Sequence, residues 1–296
     1  MSWQTIQLRF KELTKARDAG VSFEKSWNAY REAVLATRYN PPYHLIAPLR
    51  VAEDAAERAG RENVRILDHG CGGGGTLLYL LALGFSGVFG IDVGGNCIGW
   101  NRLLRDEFNI KEKRFFVYEG QLLPFDDGIF DVVISEEVVE HVPDSTIVRY
   151  YSEAARVLRS DGITYYTVPH RLVPYDSHSR TWLIHYLPRP VASKIYGVMG
   201  GNVRHFFEQC LFLRWPAFHR RMLDNLYIDS IDFTNQRLLM LTRFDYYDGP
   251  RGFRQWLGTL SRFPLIGTLM NRLIGLFLMR QTLSRKSPGN FPAIYE

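Results

Sequence analysis

The sequence is short of the features that mark a secreted, membrane-spanning or low-complexity chain. It has 3 cysteines in 296 residues, Cys71, Cys97 and Cys210. They are too few and too scattered for a disulfide framework, and they lack metal-ligand spacing. A reduced, cytoplasmic compartment is therefore expected. The opening MSWQTIQLRFKELTKARDAG has no apolar core, so no secretory signal is read there. No run reaches the ~18 apolar residues of a spanning helix. The nearest, Phe263 to Met279, is interrupted by Asn271 and Arg272. No internal repeat or low-complexity tract is present.

The chain is long enough for one α/β domain of ~100–200 residues with an added lobe. With 46% hydrophobic and 23% charged residues, it falls in the globular rather than the disordered class. The net charge of +5 is unevenly placed. From residue 201 onward, 13 Lys and Arg stand against 7 Asp and Glu, so the basic character belongs to the C-terminal third. Such a face suits phosphates or an anionic membrane surface, or is simply solvated.

Residues 1–60 read as helical, with Phe23, Trp27, Tyr30 and Val34 at helical spacing. Asn40-Pro41-Pro42 breaks the pattern, and a second helix from Tyr43 to Ala59 stops at Gly60. Then strands and helices alternate. Val64–Asp68, Val88–Asp92, Phe115–Glu119, Phe130–Ser135 and Gly162–Val168 read as strands. Thr76–Leu83, Asn96–Phe108 and Thr146–Leu158 read as helices between them. Near-continuous apolar strands in such an alternation predict a parallel sheet covered on both faces. Beyond Pro169 the pattern weakens. Residues 170–190 are irregular, Phe206 to Asn225 reads as a helix and Tyr227 to Phe233 as a strand. Leu238 to Phe244 is a candidate hairpin partner for that strand, or a helix. The last 45 residues read as helices rich in Leu, Phe and Arg.

The segment Ile66-Leu67-Asp68-His69-Gly70-Cys71-Gly72-Gly73-Gly74-Gly75 ends a strand, makes a tight turn and opens a helix. Glycines let the backbone approach a ligand, and the helix start offers free N–H groups. A ligand is expected at this carboxyl end of the first strand. Gly70-x-Gly72-x-x-Gly75 also fits a dinucleotide pattern, which alone is weak. Asp92 closes the next strand and can accept two ribose hydroxyls from either kind of ligand. Asp68 separates the two readings, because a carboxylate there repels a pyrophosphate but suits a cationic methionyl amine.

The ordered set of motifs over residues 64–168 resembles the class I S-adenosylmethionine-dependent methyltransferases, specifically the bacterial type 11 domain. Asp68-x-Gly70-Cys71-Gly72-x-Gly74 is similar to its first motif and Asp92 to its ribose acid. Glu119-Gly120-Gln121-Leu122-Leu123-Pro124-Phe125 is similar to the loop that brackets the adenine. Phe130–Ser135 with Glu140-His141-Val142, and Glu153-Ala154-x-Arg156-Val157-Leu158-x-x-x-Gly162, are similar to the later motifs. Two positions depart from the pattern: Glu119 stands where Asp is usual, and Glu136 where a small or polar residue is commoner. The resemblance implies a Rossmann-like, seven-stranded, mostly parallel α/β sheet with helices on both faces, N-terminal helices and a C-terminal helical lobe. The expected division is 1–60 as a helical cap, 61–245 as the methyltransferase domain and 246–296 as a helical extension. It also implies S-adenosyl-L-methionine as cofactor. Asp68, Gly70, Cys71, Gly72 and Gly74 would hold the methionyl end and Asp92 the ribose. Val93, Glu119, Gly120 and Gln121 would meet the adenine, and Glu136 would line the same pocket. Gly73 and Gly75 serve the turn, and Leu122 is as readily core as ligand-facing.

Methyl transfer is an in-line displacement, and a hydroxyl acceptor must also lose its proton, usually to His or a carboxylate. His141 follows the fourth strand, where it is either catalytic or structural. The loop 169–200, running through Pro169-His170-Arg171-Leu172-Val173-Pro174-Tyr175-Asp176-Ser177-His178, is the expected acceptor loop. His170, Asp176 and His178 are its catalytic candidates, against a reading in which its polar groups cap one another. Their spacing matches no standard metal site, so no metal is expected. The loop, with Trp182 to Pro188, is similar to methyltransferases encoded with bacterial surface-polysaccharide genes. That implies O-methylation of a sugar or polysaccharide precursor. A small-molecule or lipid acceptor, an NAD-binding oxidoreductase and a non-catalytic cofactor-binding subunit are the competing readings. Nucleic acid is not expected, since Asn40-Pro41-Pro42-Tyr43 precedes the first strand rather than following the fourth. The apolar, arginine-flanked segment 256–286 is a candidate peripheral membrane contact, or packs on the domain or on a second subunit.

Overall fold

A computed structural model describes residues 3–39, 41–236, 269, 273–292 and 294. Three helices, α1 (Trp3–Ala19), α2 (Glu24–Leu35) and α3 (Ile46–Ala59), precede the sheet. There follow β1 (Ile66–His69), α4 (Gly75–Ala82), β2 (Val88–Asp92), α5 (Trp100–Phe108), β3 (Phe115–Val117), β4 (Phe130–Glu136), α6 (Ile147–Val157) and β5 (Leu158–Val168). A two-stranded ribbon, β6 (Tyr175–Asp176) and β7 (Thr181–Trp182), leads to α7 (Arg189–Met199), α8 (Gly201–Gln209) and α9 (Pro216–Leu226). The strands β8 (Asp229–Asp232) and β9 (Arg280–Arg285) complete the sheet.

The sheet has seven strands in the order β3-β2-β1-β4-β5-β9-β8. β1 to β5 pair in parallel, and β9 runs antiparallel to both β5 and β8. Side chains alternate between two cores, as the pleat requires. Ile66, Val132, Ile134, Ile163 and Tyr165 face the layer of α1 to α5. Leu67, Phe89, Ile91, Val133 and Tyr166 face α6 and α9. Both faces are apolar, which explains the unbroken hydrophobic strands in the sequence. The insertion after β5 has a small core of its own around Ala192, Tyr196, Phe207 and Leu211.

Two expectations are corrected. The helix expected over Phe206–Asn225 is two helices, because Pro216 starts α9 at a position where its missing N–H costs nothing, whereas inside a helix it would break the ladder. The C-terminal extension is not helical throughout. Residues 280–285 are a strand, set between β5 and β8. This strand is mostly polar yet buried, and several of its polar groups are paired. His219 meets Thr282 Oγ1 at 2.9 Å, Ser230 Oγ donates to Ser284 Oγ at 2.9 Å, and Arg285 donates to Asp54 at 3.3 Å. Residues 238–244, 256–268 and 270–272 lie outside the described residues. No helix among the described residues is long and apolar enough to cross a membrane.

Candidate functional site

The strand order reverses between β1 and β4, and ligands of open α/β sheets bind outside the carboxyl ends of strands at such a point. The glycine loop stands there. Gly70 has φ +98°, and a Cβ on it would lie 2.4 Å from Val138 Cγ2, so no other residue fits. Gly74, at φ +80°, starts α4 under the Trp100 ring, whose Nε1 donates to Gly73 O at 2.7 Å. Asp92 ties two loops together: Oδ2 accepts the Gly72 N–H at 2.9 Å and Oδ1 the Gly94 N–H at 2.7 Å.

Three carboxylates gather around this loop. Asp68 is buried, and burial with the nearby Asp92 pushes it up to about 7. Glu136, at the end of β4, is pushed well above the ordinary carboxylate range by burial and by Asp68. It accepts a hydrogen bond from Thr76 Oγ1 at 3.2 Å, in the first turn of α4. Asp68 is buried while Asp92 and Glu136 are partly exposed, and a cluster of carboxyl groups of this kind favours a positively charged ligand over a pyrophosphate.

On the far side of Asp92, Val93 is 67% exposed, and its Cγ1 lies 3.6 Å from where a Gly120 Cβ would be. Glu119, Gln121 and Leu122 are exposed beside Gly120. Cys71 is buried under the loop and packs in the core. A cavity of about 390 Å³ adjoins Gly75 and Thr76, lined by Trp3, Phe10, Tyr30 and His44. These N-terminal residues were not singled out from the sequence, where they read only as an amphipathic pattern.

Past β4, Glu137 adopts the left-handed conformation at φ +54°, which a non-glycine residue rarely does and which marks functional turns. A 3-10 turn, Val139–His141, follows. Arg214 braces it by donating to Val139 O and Val142 O at 2.9 and 2.7 Å. The Phe212 N–H donates to Glu140 O at 2.6 Å. His141 Nδ1 donates to Cys210 O at 2.7 Å, and its Nε2 faces His178 Nε2 at 3.2 Å. His178 Nδ1 lies 3.3 Å from Asp176 Oδ1. Asp176 also accepts the backbone N–H groups of His178 and Ser179 and the Ser179 hydroxyl. Burial alone would raise Asp176, but these hydrogen bonds outweigh it and hold the carboxyl down at about 2.

His141, Asp176 and His178 therefore come together, and His170 does not. Its Nε2 donates to Leu278 O at 2.7 Å and its Nδ1 accepts the Leu172 N–H at 3.2 Å, so both ring nitrogens are committed to backbone. Burial holds it down at about 4, hence neutral. Glu140, which was not a site candidate in the sequence, lies against His141. Its side chain is fully buried, Oε1 is 3.8 Å from His141 Nε2, and neither oxygen meets a hydrogen-bond partner among the described residues. Burial pushes it up to about 8.

Residues 67–166 match the family described as "Methyltransferase domain". That segment is similar to the methyltransferase domain family, and the chain continues on both sides of it. The ubiquinone biosynthesis O-methyltransferase of Bordetella pertussis is 32% identical over 152 residues, covering 48% of this chain and 61% of that protein. The protein of the same name from Pseudomonas aeruginosa is 39% identical over 103 residues, covering 35% and 44%. The chain thus spans 61% and 44% of the length of these two curated relatives, less than two thirds of either. Among solved structures, the geranyl diphosphate C-methyltransferase of Streptomyces coelicolor is similar at 16% identity. It covers 87% of this chain and 83% of that one, with a TM-score of 0.44.

Proposed function

We propose that this protein transfers a methyl group from S-adenosyl-L-methionine to a hydroxyl acceptor. The observation that carries the reading is the group of three carboxylates at the glycine loop, Asp68, Asp92 and Glu136, which together favour a cationic ligand. Asp68 and the Gly70–Gly72 backbone would hold the methionyl amine and carboxylate. Asp92 would exchange its two backbone partners for the ribose hydroxyls. Val93 and Gly120 would bracket the adenine, with Glu119 and Gln121 at its edge. When bound, the cofactor supplies an activated methyl group on a sulfonium, so the protein's contribution is alignment and exclusion of water.

The acceptor oxygen attacks the methyl carbon as the carbon–sulfur bond breaks, and its proton is released on the side where His141 and His178 stand. Tyr175 and Trp182 on the ribbon support an acceptor with a ring. Their centroids are 5.1 Å apart, and they are 39% and 66% exposed beside Asp176. Aromatic faces of this kind suit a pyranose, consistent with a sugar or polysaccharide precursor. The names of the two bacterial relatives favour a second reading, a quinone-type hydroxyl on an aromatic ring.

Calorimetric titration with S-adenosylhomocysteine and with NADH, on the wild type and on Asp92→Ala, tests the cofactor assignment. S-adenosylhomocysteine alone should bind, and Asp92→Ala should weaken it. Binding of NADH alone would overturn the proposal. Turnover against a panel of nucleotide sugars and hydroxylated aromatic acids then separates the two acceptor readings.

A further inference from the structure

We infer that Glu140, His141 and His178 form a binding site for a divalent first-row transition cation, placed to hold the acceptor oxygen. The three side chains offer one ligand atom each, all within 4.8 Å of one another. The two imidazoles are already arranged as ligands. Two nitrogens on one tetrahedral cation at ~2.0–2.1 Å lie about 3.3 Å apart. The Nε2 atoms of His141 and His178 stand 3.2 Å apart.

Their other ring nitrogens explain why they point at each other. His141 Nδ1 must carry the proton, because its partner, Cys210 O, can only accept. His178 Nδ1 lies beside the Asp176 carboxylate, which can also only accept. Both rings are thereby set in the tautomer that leaves a bare lone pair on Nε2. Metal-bound histidines are anchored in this way, through a carbonyl or a carboxylate behind the ring. Two bare lone pairs at 3.2 Å repel unless a proton or a cation lies between them.

Glu140 decides between the two. A proton shared by the imidazoles needs no third group, yet a fully buried carboxylate stands 3.8 Å from His141 Nε2 with no hydrogen-bond partner on either oxygen among the described residues. Leaving such a group unpaired is costly, and coordination to a cation removes that cost. Two histidines and one carboxylate suit Zn2+, Mn2+, Fe2+ or Co2+ rather than Mg2+ or Ca2+, which prefer oxygen ligands alone. The histidine side chains keep 31% and 27% exposure, so the open coordination positions face outward. An acceptor hydroxyl bound there becomes more acidic. Its proton passes to water, the oxygen forms the new bond to the methyl carbon, and the carbon–sulfur electron pair stays on sulfur as a neutral thioether.

The mechanistic part rests on the methyl-transfer reading; the cation site itself does not. The test is titration of the tag-free, chelator-treated full chain with Co2+, followed by its ligand-field absorption, with S-adenosylhomocysteine affinity measured on the same samples. One equivalent should bind, with Zn2+ competing. Glu140→Gln and His178→Ala should each weaken binding by ~10-fold or more, Asp176→Asn should do so by ~10–100-fold, and His170→Ala should not. For wild-type protein labelled with 15N-histidine, Mn2+ should show hyperfine coupling to two histidine nitrogens, which needs no variant to fold. Non-stoichiometric Co2+ binding, or binding indifferent to all three site variants, would overturn the site. A cation bound without S-adenosylhomocysteine affinity would overturn the methyl-transfer reading alone, and the reverse would overturn only the cation site.

Discussion

Arg156 and Glu153 form a fork-to-fork pair, with Nε donating to Oε1 at 2.8 Å and Nη2 to Oε2 at 2.7 Å. Glu153 is nearly buried and its Oε2 also accepts the Leu123 N–H at 2.8 Å. Arg156 reaches on to Phe125 O, Leu123 O and Asp127. The pair thus fastens α6 to the far end of the loop that begins with Glu119 and Gly120. Arg156→Met should lower stability by about 1–3 kcal/mol, since it takes the Arg156 donors from one buried carboxylate, whose Oε2 keeps the Leu123 N–H, and from two carbonyls. It should also weaken S-adenosylhomocysteine binding with no lost ligand contact. Thermal melts and calorimetry on the same samples check this, and full affinity in a destabilised variant would count against the loop's place in the pocket.

Asp68 makes the free protein sensitive to pH. Its carboxyl is held up at about 7 against an ordinary 3.8 by burial and by Asp92. The folded state therefore keeps this proton longer than the unfolded chain does. The resulting stability is complete below the ordinary value and is lost as pH rises through about 7. Melting temperature of the ligand-free protein should fall over that window. Asp68→Asn should flatten the fall without abolishing it, because Glu136 and Glu140 shift in the same direction.

The same group should couple ligand binding to proton release. A methionyl ammonium stabilises the ionised form of Asp68, so affinity for S-adenosylhomocysteine should climb with pH and level off above about 7. Calorimetry in buffers of different ionisation enthalpy reads the released protons directly. Proton release that persists unchanged in Asp68→Asn would assign the coupling elsewhere.

Asp92 holds the Gly72 and Gly94 amides together before any ligand arrives. Its replacement by Ala loses the ribose contacts and frees both loops. At about 1.5 kcal/mol for each of two charge-assisted hydrogen bonds, affinity should drop roughly 100-fold. A drop below tenfold would place the ribose on other groups.

The three histidines His141, His170 and His178 should separate by phenotype. His141→Ala and His178→Ala should lower turnover and leave S-adenosylhomocysteine affinity near that of the wild type. His170→Ala should instead cost about 1–3 kcal/mol of stability, because it strands Leu278 O and the Leu172 N–H, with turnover retained in the folded fraction. Turnover lost in His170→Ala at full stability would reverse that division.

The cofactor half of the site was legible because one short segment carries it. Asp68 through Gly75 makes its turn from local backbone geometry, and Asp92 closes the next strand, so spacing alone pairs them. The second half depends on contacts across long stretches of chain. His141 and His178 are brought together only when the segment carrying Cys210, Phe212 and Arg214 folds back under the turn after β4. No sequence spacing encodes that, so His170, nearer in the chain to His178, looked like the better partner. Glu140 escaped notice because its role lies in what it fails to bond. The last strand was misread because Gln281 to Arg285 is polar, and only its pairing with Ser230, His219 and Asp54 reveals it as interior.

The position of β9 also sets the order of assembly. Among the described residues, β8 has β9 as its neighbour in the sheet and no other strand beside it. A ribosome therefore delivers β8 some fifty residues before the strand that must separate it from β5. Until residue 285 has emerged, β5 and β8 both lack the strand that joins them. Closure of the sheet is then a late event, waiting on nearly the whole chain, and the nascent protein must keep these strands from pairing with another copy in the meantime.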